Sequence, residues 1–228
     1  MKSYYSCGKY CINNWFLQAM NNTIGIGNFY VWRESDDEKL PDVSFIPPMV
    51  RRRMTDLQKI AIGVAHHVAP ADANYQVVFA SRFGEWGQTI KLITQFHNDK
   101  EMSPAGFSNS VHNAAAGAFS VLTQNKNSYT SIAAGARTLE SGIMAALGTK
   151  KPVLFVFVEE KSPEMYEPFL DAPVAAHAMA FMLTDDASRK IVWNATANKE
   201  PPLTFDAMAD FLEQGGKITT MSWKITDK

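Results

Sequence analysis

Cysteine, long apolar runs and net charge are all scarce in this sequence, and each shortage closes off a class of function. The two cysteines, Cys7 and Cys11, sit together near the N-terminus, and no second pair occurs elsewhere. They support neither a disulfide framework nor a zinc site. On a strand, at i and i+4, they read as separate thiols rather than a bridge. No apolar segment approaches the ~18 residues of a membrane-spanning helix. The opening MKSYYSCGKYC also lacks the apolar core of a secretory signal. The sequons at Asn21 and Asn194 therefore carry no weight, and the expected compartment is the cytoplasm. Twenty-two Lys and Arg against 23 Asp and Glu give a formal charge of −1. That balance offers no electrostatic reason to expect nucleic acid or an anionic membrane.

What is present is enough to fold. Over 228 residues, 46% are hydrophobic and 20% charged, which excludes global disorder. There is no internal repeat and no low-complexity segment, and one domain is expected over residues 1–228. Residues 9–20 read as a first strand, with Trp15, Leu17 and Ala19 alternating. Residues 21–48, with Gly25, Gly27, Pro41, Pro47 and Pro48, read as a long surface loop. Gly25-Ile26-Gly27 lacks the third glycine and the following helix of a nucleotide loop. Thr55 then caps a helix whose apolar stripe is Leu57, Ile60, Ala61, Val64 and Val68. Arg51, Arg52 and Arg53 read as a solvated or carboxylate-paired helix entry, with phosphate binding as the sharper alternative. His66 and His67 are adjacent, face different directions and cannot form an i, i+4 metal pair. No other metal site is indicated.

A strand at 75–81 and a helix from about 85 to 98 follow. Pro104 starts the next predicted helix, on which Phe107, Val111, Ala114, Ala118 and Leu122 recur at helical spacing. Ala114 to Gly117 leave that helix with little bulk, for tight core packing or for an elongated ligand. Residues 128–133 read as a strand, and a second helix from Gly135 turns Ala136, Leu139, Ile143, Ala146 and Leu147 inward. Residues 152–158 are apolar on both faces, as in the interior of a covered sheet. Residues flanking 185–188 read as an antiparallel hairpin, and 204–214 as a last amphipathic helix ended by Gly215-Gly216. This order predicts an α/β layer with crossover helices, closed by an antiparallel edge.

The junction at Ser131, Ile132 and Ala133 organises the functional reading. A residue delivered by a strand to the start of a helix sees the helix dipole and the unpaired N–H groups of the first turn. Many α/β enzymes place a nucleophile there. Here the position is filled by residues that cannot serve, or that need a base which the sequence does not supply nearby.

Three stretches are similar to the N-terminal half of a β-ketoacyl synthase. IPPMVRRRMTDLQKIAI resembles the family's proline, arginine and helix segment. SPAGFSNSVHNAAAGAFSV resembles its Ser-x-x-Asn-x-x-Ala-Gly segment, here Ser110, Asn113, Ala116 and Gly117. SYTSIAAGARTLESGIMAAL resembles the strand and helix that carry the active-site cysteine. The likeness is strongest over residues 45–197. It implies a thiolase-like α/β fold, shortened to one βαβαβαββ half with covering helices. In the family's register Ile132 stands in place of the cysteine, and a one-residue slip would offer Ser131. The family's two active-site histidines belong to the second half of its fold, whereas no histidine follows His177 here. The resemblance therefore implies a non-catalytic subunit, a chain-length factor of type II polyene or fatty-acid-like elongation, closest to aryl polyene systems. It implies a full-length β-ketoacyl synthase as heterodimeric partner, an acyl carrier protein delivering the chain, and no cofactor. Phe107, Asn109, Val111, His112, Ala116 and Phe119 would border the partner's acyl tunnel. Ser128, Thr130 and Ser131 would lie near the dimer seam. The rivals are a small acyltransferase or hydrolase using Ser131, and a scaffold that stabilises a synthase without touching its substrate.

Overall fold

The computed structural model describes residues 23–72, 74–195, 201–219 and 223–227. The strand expected over 9–20, and with it Cys7 and Cys11, lies outside the described residues. Eight strands form one sheet: β1 (Thr23–Arg33), β2 (Gln76–Ala80), β3 (Tyr129–Ile132), β4 (Val153–Glu159), β5 (His177–Thr184), β6 (Arg189–Ala195), β7 (Lys217–Thr219) and β8 (Trp223–Asp227). Their order is β3-β2-β4-β5-β1-β6-β8-β7. The β3, β2 and β4 strands are parallel, and every later pairing is antiparallel. The expected α/β sheet with an antiparallel extension is therefore present.

Helices cover both faces. On one lies α2 (Asp56–Val68), preceded by the short α1 (Pro48–Arg51) and capped by Thr55, whose side chain accepts from the Gln58 N–H. Its residues Leu57, Ile60, Ala61 and Val64 join Val77, Phe79, Leu154 and Val156 in one core. On the other face α6 (Thr138–Gly148) and α7 (Phe205–Gln214) close a second core with Val78, Phe155, Phe181 and Met208. All seven residues of β4 are buried, as a strand covered on both faces must be. Between β2 and β3 run α3 (Trp86–Asp99), α4 (Pro104–Ser108) and α5 (Ala114–Thr123).

Four expectations need correction. Part of the predicted loop at 21–48 is β1. Its glycines read as turn signals, yet Gly25 is demanded by a crossing. The chain leaves β5 at Thr184 and passes over Gly25 to enter β6 on the far side of β1. A Cβ at Gly25 would stand 2.3 Å from the Thr184 carbonyl oxygen and 2.7 Å from Ala187 Cβ. For the same reason β5 and β6 are not a hairpin, since β1 lies between them and pairs with both. The helix predicted from Pro104 is broken at 109–113. There the side chains of Asn109, Ser110 and His112 bond to backbone carbonyls of Arg53, Phe107 and Ser81. Such bonds draw a segment away from helical geometry. The second helix opens as a 3-10 turn at Gly135–Arg137, which leaves Ala136 exposed. The segment after 214, for which no element was expected, contributes β7 and β8.

Candidate functional site

An open groove of about 1280 Å³ runs between the 49–59 segment, α3, α4, α5 and the start of β3. Small-molecule pockets are about 300–1000 Å³ and enclosed, so this surface has the scale of a protein contact. Its wall from α5 is Ala114, Gly117, Ala118, Val121 and Leu122, one face of the helix. The opposite face, Ala115, Ala116 and Phe119, is buried in the chain's own core. Of the apolar stripe expected through Phe107, Val111, Ala114, Ala118 and Leu122, the last three lie on the groove side of α5. Val111 lines the groove from the break before it, and Phe107 on α4 is not part of the lining.

The predicted residues separate accordingly. Asn109 and Val111 line the groove, and Val111 is 41% exposed. Phe107 is 58% exposed on α4. Ala116 and Phe119 are each 1% exposed, and Phe119 packs edge-on against Phe79 with ring centroids 6.0 Å apart. The His112 Nε2 lies 2.8 Å from the Ser81 carbonyl oxygen, and its ring fills the space where a Cβ on Gly84 would sit. Gly84 also has φ of +57°, so both backbone and packing require glycine there. His66 and His67 stack on Phe45 and Tyr30, with centroids 3.6 and 4.1 Å apart. Arg51 donates to the Val43 carbonyl, while Arg52 and Arg53 line the groove.

The strand–helix junction is a surface feature. Ser128, Tyr129 and Thr130 are exposed, and so are Ala133, Ala134, Gly135 and Ala136. Ile132 packs partly against the α6 core, and the Ser131 hydroxyl is buried without a hydrogen-bond partner among the described residues. Among the described residues no base hydrogen-bonds to it. Among the described residues β3 ends the sheet, and one of its edges is unpaired there. The carbonyls of Ser128 and Ile132 accept from Val77 and Ser81. In a parallel ladder this alternation turns the N–H and C=O groups of Tyr129 and Ser131 outward, unpaired.

Sequence reasoning passed over a carboxylate cluster behind the groove, at the β2–α3 loop. Glu159 accepts from the Ser81 hydroxyl at 3.2 Å and from the N–H groups of Arg82 and Phe83. Glu160 accepts from the Gly87 N–H at 2.7 Å, and Glu85 from the Thr55 hydroxyl at 3.0 Å. Burial drives all three pKa values up, Glu85 to about 8 and the others to about 7. The signal was two glutamates placed at the end of a wholly apolar strand. Their bonds fix the loop that starts α3, and α3 supplies Gln88 and Lys91 to the groove.

A search against curated proteins found no match. Solved structures do resemble the chain. A chain of the ketosynthase (ApeO) complex with its chain length factor (ApeC) from Xenorhabdus doucetiae is 20% identical. That match covers 90% of this chain and 99% of the other, with a TM-score of 0.68. A type II acyl-carrier protein complex with its ketosynthase (AntDE:AntF) matches at 16% identity and TM-score 0.57, over 73% of this chain and 59% of that one. A β-ketoacyl synthase from Burkholderia phymatum matches at 14% and 0.53, over 89% and 64%. The chain thus spans about three fifths of those two longer relatives, and at these identities the likeness establishes the fold. Among the described residues no helix is long and apolar enough to cross a membrane. The family model of the β-ketoacyl synthase N-terminal domain matches residues 30–221, most of the sequence, and the chain belongs to that family.

Proposed function

We propose that this chain is a non-catalytic chain-length factor that pairs with an active β-ketoacyl synthase and shapes its acyl tunnel. The observation that carries the reading is Ile132. In the register that the family resemblance implies, it takes the place of the cysteine, with Ser131 one residue away, and an isoleucine cannot form a thioester. The β3 edge, unpaired among the described residues, the exposed Ala133–Ala136 turn and the groove, which includes Tyr129 of β3, offer contact surface to a partner. Whole-enzyme chemistry, the acyl chain and its carrier protein belong to the assembled complex. The domain is proposed to be single over 1–228.

Length control of this kind is steric. A growing acyl chain gains about 0.8 kcal/mol per buried methylene. It stops gaining at a bulky wall, where overpacking costs on the order of 1–3 kcal/mol. Ala116 sits in the chain's own core, so enlarging it acts first on stability. Val111 lies on the groove and is the better probe of the tunnel wall.

The test is co-expression of the tagged chain with full-length β-ketoacyl synthases of the same organism. One synthase should co-purify, and Val111→Phe in that complex should shorten its products. An intact complex with unaltered products would leave a scaffold role instead, and an acyl adduct on Ser131 after incubation with an activated donor would restore the enzyme reading.

A further inference from the structure

The groove is apolar along its walls and cationic at its rim. Its lining holds four cations (Arg52, Arg53, Lys59 and Lys91) and one carboxylate (Asp56), a local excess of +3 on a chain of net −1. Lys59 is neutralised by Asp56 at 2.8 Å. Arg52, Arg53 and Lys91 are exposed and form no ion pair among the described residues. Arg33, Lys39 and Arg137 each meet a carboxylate, whereas the exposed Lys100, Lys126, Lys150 and Lys161 are scattered singly and form no ion pair among the described residues. What sets the groove apart is the clustering of its cations beside apolar surface. The same lining holds Met49, Val50 and Val121, the last 81% exposed. Water-exposed valine beside unneutralised guanidinium groups is a surface awaiting a complement of both kinds.

A small phosphate ligand fits poorly here. Two helices of adequate length start on the groove. One is α2, whose Gln58 N–H is already capped by Thr55 and whose first turn carries Asp56. The other is α5, whose start at Ala114 has no side-chain cap but no flanking cage either. The groove is also wide and open rather than a cage. An extended or helical protein segment satisfies both the length of the apolar wall and the separated charges.

We infer that the partner synthase lays an acidic amphipathic segment in this groove, with carboxylates opposite Arg52, Arg53 and Lys91 and apolar side chains on Met49, Val50 and Val121. This rests on the pairing proposed above. Arginine offers a planar fork that holds a carboxylate by two parallel bonds, so the Arg52–Arg53 pair sets register as well as attraction. Rim charges of this kind act on encounter more than on residence, whereas buried apolar contacts act on dissociation.

The experiment measures association and dissociation rates of the synthase captured by co-expression, at low and high salt. Arg52→Glu with Arg53→Glu should slow association by about tenfold or more at low salt and flatten its salt dependence, with little change in dissociation. Arg52→Lys with Arg53→Lys should keep most of the rate, and Val121→Asp should speed dissociation. All three substituted positions are solvent-exposed, so the monomer fold is left intact. Wild-type association by the charge-reversed double variant at every salt concentration overturns the inference. If Val121→Asp still weakens that complex, the pairing itself stands. Failure to capture any synthase overturns both.

Discussion

At Glu85, Glu159 and Glu160 burial and hydrogen bonding pull against each other, and burial wins. A carboxylate whose pKa rises on folding is protonated in the native protein and ionised in the unfolded chain between the two values. The native state then holds more protons, so stability falls as pH climbs through that window. For Glu85 the window runs from the ordinary 4.5 to about 8. Each such group contributes a slope of about 1.4 kcal/mol per pH unit there. The contribution is fully present below the window and lost above it. Glu85→Gln copies the protonated acid, since its amide oxygen still accepts from Thr55 and its NH₂ replaces the acidic hydroxyl. Urea denaturation should show the variant within ~1 kcal/mol of wild type near pH 5, and clearly more stable than wild type near pH 9. A difference that does not change with pH would mean that Glu85 ionises like an exposed acid. These three residues escaped sequence reasoning because burial of a carboxylate is decided by distant elements, here Thr55, Ser81 and Gly87.

The β3 strand carries its prediction at the scale of the element. Its inner edge is bonded to β2, while Ser131 turns its N–H away from the sheet. Proline is tolerated where the missing N–H faces outward. Ser131→Pro should therefore fold, with a circular dichroism spectrum and melting point close to wild type, yet fail to retain the synthase. Retention with undiminished affinity would remove the strand edge from the interface. Element by element, legibility followed locality. The Thr55 cap, the stripe of α2 and the apolar run of β4 were plain because each is a pattern within a dozen residues. The break at 109–113 was not, because Asn109 and His112 bond to Arg53 and Ser81, more than thirty residues away. In α5 small residues occupy both faces, so periodicity alone could not tell the groove side from the core side. The extended conformation of β1 was hidden by Gly25, whose purpose is set by a strand crossing that no local pattern records.

For the whole molecule, the alternation of strands and helices announced an α/β sheet, but strand order depends on which edges meet and stayed unread. The groove was equally invisible, being assembled from the 49–59, 88–91, 105–122 and 129 regions. Its existence has a consequence for the isolated chain. Val121, Met49 and Phe107 expose large apolar surfaces, and among the described residues β3 leaves an unpaired edge. Together these favour association with whatever is available. Without its synthase the chain should show concentration-dependent self-association by sedimentation, and an equimolar amount of the captured synthase should suppress it. Binding to the native state alone also adds stability by mass action, about 2.7 kcal/mol at a partner concentration one hundred times Kd. The melting transition of the chain should therefore move up with added synthase and level only logarithmically. A chain that is monomeric at all concentrations, and whose melting point ignores the synthase, would show that its exposed face has no structural use in assembly. Self-association that the synthase cannot displace would point instead to a second copy of this chain as the natural occupant of that face.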